Sequence, residues 1–290
     1  MKPTIQSVPP RSSLSDLAVC YRIYPRVSGH PVFAFREKLD LVRLNLESFK
    51  EAAESLSLRL WFILDNCPAP YEDLVRGLFA EYDLDVIRLN GEGNGATFRR
   101  QIDILESQQD AGLVYFAEDD YLYVPGALER GVEFFAKHPD VEFLTLYDHA
   151  DHYRKYIHQG KGPHLLEGGH TWKTVASTCL TFMARREALA ETAPVFRTFA
   201  AGNSDLGLWL ALTKRGVLNP WTFIRSWSDG RFVGASHVLA WLHAGGQILN
   251  GKRRTLWVPT PSLATHMETS GLAPGVDWVR MFEHRVRISA

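Results

Sequence analysis

Long apolar runs are scarce in this sequence. The longest, 232–249, is broken by His237, His243, Gln247 and three glycines. That is too polar for a membrane span and reads as a buried helix or hairpin. Cysteine is also sparse: Cys20, Cys67 and Cys179 are odd in number and far apart. They offer no disulfide framework and no zinc spacing; Cys20 and Cys179 lie in strand-like runs and read as buried thiols. The first sixteen residues, MKPTIQSVPPRSSLSD, have no apolar core of a signal peptide, so the expectation is a cytoplasmic protein. Neither charge sign dominates, with a net charge of -1. Bulk charge therefore directs the chain to neither nucleic acid nor an anionic surface, although peripheral membrane contact stays open. Arg99-Arg100 and Lys252-Arg253-Arg254 read as solvated surface. There is no internal repeat and no low-complexity linker.

What the 290 residues do contain, at 46% hydrophobic, is enough apolar material for one large core. Apolar runs at 17–24, 58–64, 84–89 and 112–117 predict four strands. Between them, Leu39, Val42, Leu46, Phe49, Ala53 and Leu56 recur at helical spacing, as do Tyr71, Leu74, Val75, Leu78 and Tyr82. A third helix is expected from about Thr97, after a turn containing Gly91, Gly93 and Gly95. This alternation predicts an α/β fold with a mostly parallel central sheet covered by helices. The second half is less regular. Strands are expected at 142–146 and 178–184 and a helix at 204–214, with 148–174 a long loop rich in His and Gly. The expected organisation is a flexible segment over 1–16 and one domain over 17–290. Its nucleotide-binding half is 17–147 and its acceptor-side half, with the tail, is 148–290.

Ligands bind such sheets at the carboxyl ends of strands. Tyr21 and Arg22, Asp65, the glycine turn and the run Glu118-Asp119-Asp120 all fall at those ends. Three adjacent carboxylates stay ionised cheaply only in water or around a cation, and oxygen ligands suit Mg²⁺ or Mn²⁺. A solvated acidic turn is the plainer alternative. Asp65 before Asn-Cys-Pro is also a good turn former. Tyr21 equally fits core packing, and Arg22 a surface partner.

The stretch YFAEDDYLYVPGALE resembles the "DXD" region of GT-A (Rossmann-like) glycosyltransferases, closest to the family 2 inverting type. The resemblance implies that Asp120 binds the metal, that Asp119 contacts the ribose or donor sugar, and that Glu118 supports the donor side; the triplet is Glu-first here. It places Asp65 at the base. It aligns GEGNGATFRRQ with a glycine turn followed by Arg-Asn, which makes Arg100 a donor-side residue beside Tyr21 and Arg22. GNSDLGLWLALTKRG resembles the family's acidic helix start, with Ser204 in place of a glutamate and Asp205 as the general base. Asp205 also fits a helix N-terminal charge complementing the dipole. In PSLATHMETSGLAP, His266 takes the position of a metal-coordinating histidine. The processive synthases' Gln-x-x-Arg-Trp motif is absent.

The function implied is metal-dependent inverting transfer of a sugar from a UDP- or GDP-linked donor to a saccharide or lipid-linked acceptor, with Mn²⁺ or Mg²⁺ and without nucleic acid. Five histidines over 149–170 fit no zinc pattern. An acceptor-side loop with His170 and Trp172 in the acceptor pocket is the expectation, a second metal site the alternative. Two other functions stay open. A sugar nucleotidyltransferase would show a Gly-rich basic loop after the first strand, where this chain has RIYPRVSGHP. A binding module would keep the fold without turnover.

Overall fold

A computed structural model describes residues 14–27, 37–159 and 162–289. Except for residues 14–16, the expected flexible segment lies outside them. The first half alternates as expected: β1 (Leu17–Ile23), α1 (Lys38–Ala52), β2 (Leu58–Asp65), α2 (Ala69–Leu78), β3 (Asp83–Leu89), α3 (Asn94–Ser107) and β4 (Leu113–Glu118). β5 (Tyr121–Tyr123), α4 (Ala127–Lys137) and β6 (Phe143–Leu144) follow.

The four long strands are parallel in the order β3-β2-β1-β4. β1 is buried on both faces, which explains its apolar sequence up to Arg22. Its pleat divides it: Leu17, Val19, Tyr21 and Ile23 face the layer of α1, α2 and α4, whereas Ala18 and Cys20 face α3. The chain runs outward from β1 to β3 and returns on the other side at β4. The ends of β1 and β4 therefore form a switch point, where a crevice opens.

The expected long loop over 148–174 is shorter than that. It holds α5 (Asp151–Arg154), a 3₁₀ turn (Tyr156–His158) and a hairpin of β7 (His164–Glu167) and β8 (His170–Val175). β9 (Phe182–Arg185), α6 (Arg186–Phe196), α7 (Asp205–Thr213), α8 (Pro220–Ser228), α9 (Arg231–Asn250), β10 (Leu256–Thr260), β11 (Ala264–His266) and α10 (Trp278–Ser289) complete the chain. β9 continues the sheet antiparallel to β4, and β6, β10, β8 and β7 extend it to nine strands. On that side Phe98, Phe116, Phe182, Phe196 and Trp209 build the second core. The 232–249 run is helical with a kink at Ala244, where φ is -139°, and it is only partly buried; Phe232, Val238, Leu242 and Leu249 are exposed.

A two-stranded sheet decides the site. β11 pairs antiparallel with β5, which sets His266 opposite Tyr121 and therefore beside Asp120. The Met267 N–H donates to the Asp120 carbonyl at 2.7 Å and pins the register.

Candidate active site

Each carboxylate of the acidic triplet has its own cation. Arg22 and Glu118 are register partners across β1 and β4, and the guanidinium meets Glu118 Oε1 at 2.5 Å. The Thr181 hydroxyl donates to Glu118 Oε2 at 2.8 Å. Asp119 points the other way, to Lys38 Nζ at 2.9 Å and the Tyr24 N–H at 2.9 Å. Asp120 Oδ2 lies 2.9 Å from His266 Nε2, while its Oδ1 is buried with no hydrogen-bond partner. Three like charges are thus held at one strand end by three separate counter-charges. Burial pushes Asp119 up to about 6 despite the pull of Lys38. Burial also opposes charge on His266, but the Asp120 carboxylate outweighs it and raises His266 to about 9. The same contact, acting against burial, holds Asp120 below the usual carboxylate range.

The triplet forms one wall of a cavity of about 360 Å³, with Arg22, Asp65, Asn94 and Thr97 around it. Asp65 is buried, and its two oxygens accept from the N–H groups of Gly91, Glu92 and Gly93 at 2.7, 2.9 and 2.9 Å. Gly91 and Gly93 adopt φ of 86° and 84°, so the turn needs glycine and the carboxylate fixes it. The Arg22 guanidinium also donates to the Asn94 carbonyl at 3.0 Å and to the Asn94 side chain.

Several expected site residues lie elsewhere. Tyr21 is fully buried, stacked on Phe62 and edge-on to Phe49, because β1's pleat turns it into the core. Arg100 is exposed on the side of α3 opposite Phe98, Gln101 and Ile102, and lines neither cavity described here; Arg22 lines the larger one. Trp172 is a core residue, stacked on Phe134 at 4.1 Å. His170 sits at the turn of the β7–β8 hairpin, on the far edge of the sheet.

The wall beside Asp205 comes from the earlier part of that segment. A second cavity, of about 150 Å³, is lined by Asp205, His149, His158, Thr178, Cys179 and Phe232, among others. Cys179 lies in the loop before β9 rather than in a strand. Asp205 is the first residue of α7, which Ser204 caps by accepting from the Gly207 N–H at 3.0 Å. Burial raises the Asp205 carboxyl above its ordinary range, and the charge of Glu118 adds to the effect. Burial also depresses the imidazoles: His149 falls to about 4 and His158 well below its usual value. Beneath them, buried Asp148 gathers His152 Nδ1 at 2.8 Å, Lys173 Nζ at 3.1 Å and the Thr260 hydroxyl at 2.8 Å. This hub fixes the loop and leaves His149 and His158 as neutral wall groups.

Among the described residues no group of three or more His, Cys, Asp or Glu side chains is placed to hold a metal ion by itself. The Asp120–His266 pair nevertheless fits a shared site. It offers one carboxylate and one imidazole, an orphaned buried oxygen, and an adjoining cavity where a ligand can complete the shell.

No protein-family model matches the chain, and no curated protein matches it. Solved structures do. TarS of S. aureus matches at a TM-score of 0.46 and 13% identity, over 74% of this chain and 44% of that one. A mannosyltransferase of Pyrobaculum calidifontis, in complex with GDP-Man and Mn²⁺, matches at 0.42 and 12%, over 82% and 73%. Glucosyl-3-phosphoglycerate synthase of Mycobacterium tuberculosis, with Mn²⁺, UDP and phosphoglyceric acid, matches at 0.42 and 10%, over 69% and 64%. This chain thus spans less than half the length of the TarS structure.

Three features were not read from the sequence. Lys38, first in α1, is buried against Asp119 although a helix N-terminus disfavours cations; that misfit was the available signal. Thr181 and Asn94 offered none.

Proposed function

We propose that this chain is a glycosyltransferase of the inverting type, using a nucleoside-diphosphate sugar, in a cytoplasmic setting. The observation that carries the reading is the Asp120–His266 pair, with its orphaned Oδ1, at the wall of a cavity beside which Asp205 lines a second one. The larger cavity suits the donor and the smaller one the acceptor.

Arg22, Asn94 and the Asp65-held turn shape the donor cavity, and the Arg22–Glu118 contact keeps the guanidinium directed at it. Lys38 holds Asp119 in place for the donor's ribose or sugar hydroxyls. Asp120 and His266 would hold a divalent cation, which would neutralise the charge left on the departing diphosphate. Across the site Asp205 accepts the proton of the acceptor hydroxyl. The oxygen then attacks the anomeric carbon opposite the breaking bond to the diphosphate, so the configuration inverts. Burial raises the Asp205 carboxyl and makes it a better base for an alcohol; a positioned base contributes ~10²–10⁴-fold. The neutral imidazoles of His149 and His158 give this wall hydrogen-bonding capacity without a competing positive charge.

Release of nucleoside diphosphate from UDP- and GDP-sugars, with Mn²⁺ and with Mg²⁺, tests the reading. Release that disappears in Asp205→Asn supports it. Nucleotide binding with no release from any donor, with or without an acceptor mixture, makes the chain a binding module.

A further inference from the structure

α8 is turned inside out. Its buried residues are Thr222 and Ser226, while Trp221 (72% exposed), Phe223, Ile224 (58%) and Trp227 reach solvent. On neighbouring α9, Val238 and Leu242 (73% exposed) are four residues apart and share one exposed side of the helix, while Phe232 is exposed in its first turn and Leu249 beyond the break at Ala244. Trp241 is partly exposed as well. The chain's other tryptophans are buried or, for Trp61, capped by the Arg59 guanidinium at 4.2 Å. The exposed ones are therefore confined to these two helices. No helix among the described residues is long and apolar enough to cross a membrane, so the feature is a surface and not a span.

Charge identifies the occupant. The chain carries a net -1, yet residues 216–255 hold five cations and a single acid, Asp229; Lys252 and Arg254 are paired with Glu142 and Glu191, which leaves three arginines against that acid. That acid turns inward, accepting from the Ile157 N–H at 3.3 Å. Arg225, Arg231 and Arg253 are exposed. Exposed tryptophan and aliphatic side chains bordered by arginine are the composition of a helix lying in the interface of an anionic bilayer. A second copy of this chain would bring cations against cations. Phe232, exposed in the first turn of α9 where α8 ends, also lines the Asp205 cavity, so the surface reaches the site at this corner.

We propose that the α8–α9 face seats the protein on an anionic bilayer, and that the acceptor is a lipid-linked hydroxyl compound entering the Asp205 cavity beside Phe232. The second half rests on the transferase reading above; the first does not. The test is co-sedimentation of the full chain with phosphatidylcholine vesicles, with and without phosphatidylglycerol. The wild type should sediment with the anionic vesicles and stay in solution with the neutral ones. The combined variant Trp221→Ser/Ile224→Ser/Leu242→Ser should lose binding by at least about tenfold. Arg225→Glu with Arg231→Glu, which leaves the apolar groups intact, should weaken it as well. Both variants should keep the wild-type thermal shift with nucleotide, which shows that they are folded. A wild type that stays in solution with both vesicles overturns the proposal, as does a triple variant that binds like the wild type. A wild-type dimer that the triple variant dissociates, without vesicle binding, assigns the face to a second copy instead. Vesicle binding without any nucleotide binding would retain the docking face and reject the lipid-linked acceptor together with the transferase reading.

Discussion

Lys38 Nζ sits 2.9 Å from Asp119 Oδ1, with both side chains buried. The pair ties the start of α1 to the end of β4 and fixes the middle carboxylate of the triplet. Removing one member strands the other charge. Lys38→Met should cost about 3–5 kcal/mol at neutral pH, and adding Asp119→Asn should recover most of it. Urea denaturation of the single and double variants measures both; equal stability of the two variants would show that the carboxylate needs no counter-charge.

Asp205 makes a prediction of two opposite signs. Its carboxyl is raised by burial, so the charged form costs the folded state stability. A group raised in the folded state contributes stability below its unfolded pKa and loses it as pH climbs through the folded value. Asp205→Asn should therefore be more stable than the wild type at neutral pH and indistinguishable from it in acid. Transfer should fall ~10²–10⁴-fold with donor affinity kept. Melting temperatures across pH, together with donor titration, check both halves.

Sequence and structure can be compared on these same residues. The strand ends and the triplet were legible because a parallel sheet writes its buried strands as plain apolar runs and ends them in polar residues, whereas Asp205, at the start of α7, was singled out by resemblance alone. The counter-charges were not legible. Lys38 is 81 residues from Asp119, and only the packing of α1 on β5 and β4 brings them together. His266 was legible by resemblance alone; its place depends on β5 pairing with β11, three residues each. Trp172 was misassigned because a strand's pleat decides which face a tryptophan takes, and the hairpin register is not visible in GGHTWKT.

That misassignment has a measurable consequence. Trp172 stacks on Phe134 in the core. Trp172→Ala should destabilise the fold by about 3–5 kcal/mol and leave the Michaelis constant for acceptor unchanged at temperatures where the variant is folded. Steady-state kinetics and denaturation separate these effects; a raised acceptor constant without lost stability would return Trp172 to the acceptor site.

His266 makes cation binding sensitive to pH. Asp120 holds its imidazole protonated up to about 9, and a histidine must lose its proton to ligate a metal. Mn²⁺ affinity should therefore rise with pH, by about tenfold per unit below that value. His266→Gln should bind more weakly and lose this slope. Calorimetric Mn²⁺ titrations at several pH values read the slope directly.

The most direct test is a thermal-shift titration of UDP and GDP, with and without Mn²⁺, on the wild type and Asp120→Ala. A ligand that binds only the folded chain, at 100 times its Kd, stabilises by about 2.7 kcal/mol. The account predicts Mn²⁺-dependent stabilisation by one nucleotide, absent in Asp120→Ala. Stabilisation that ignores Mn²⁺, survives in Asp120→Ala, or fails to occur with either nucleotide would contradict it.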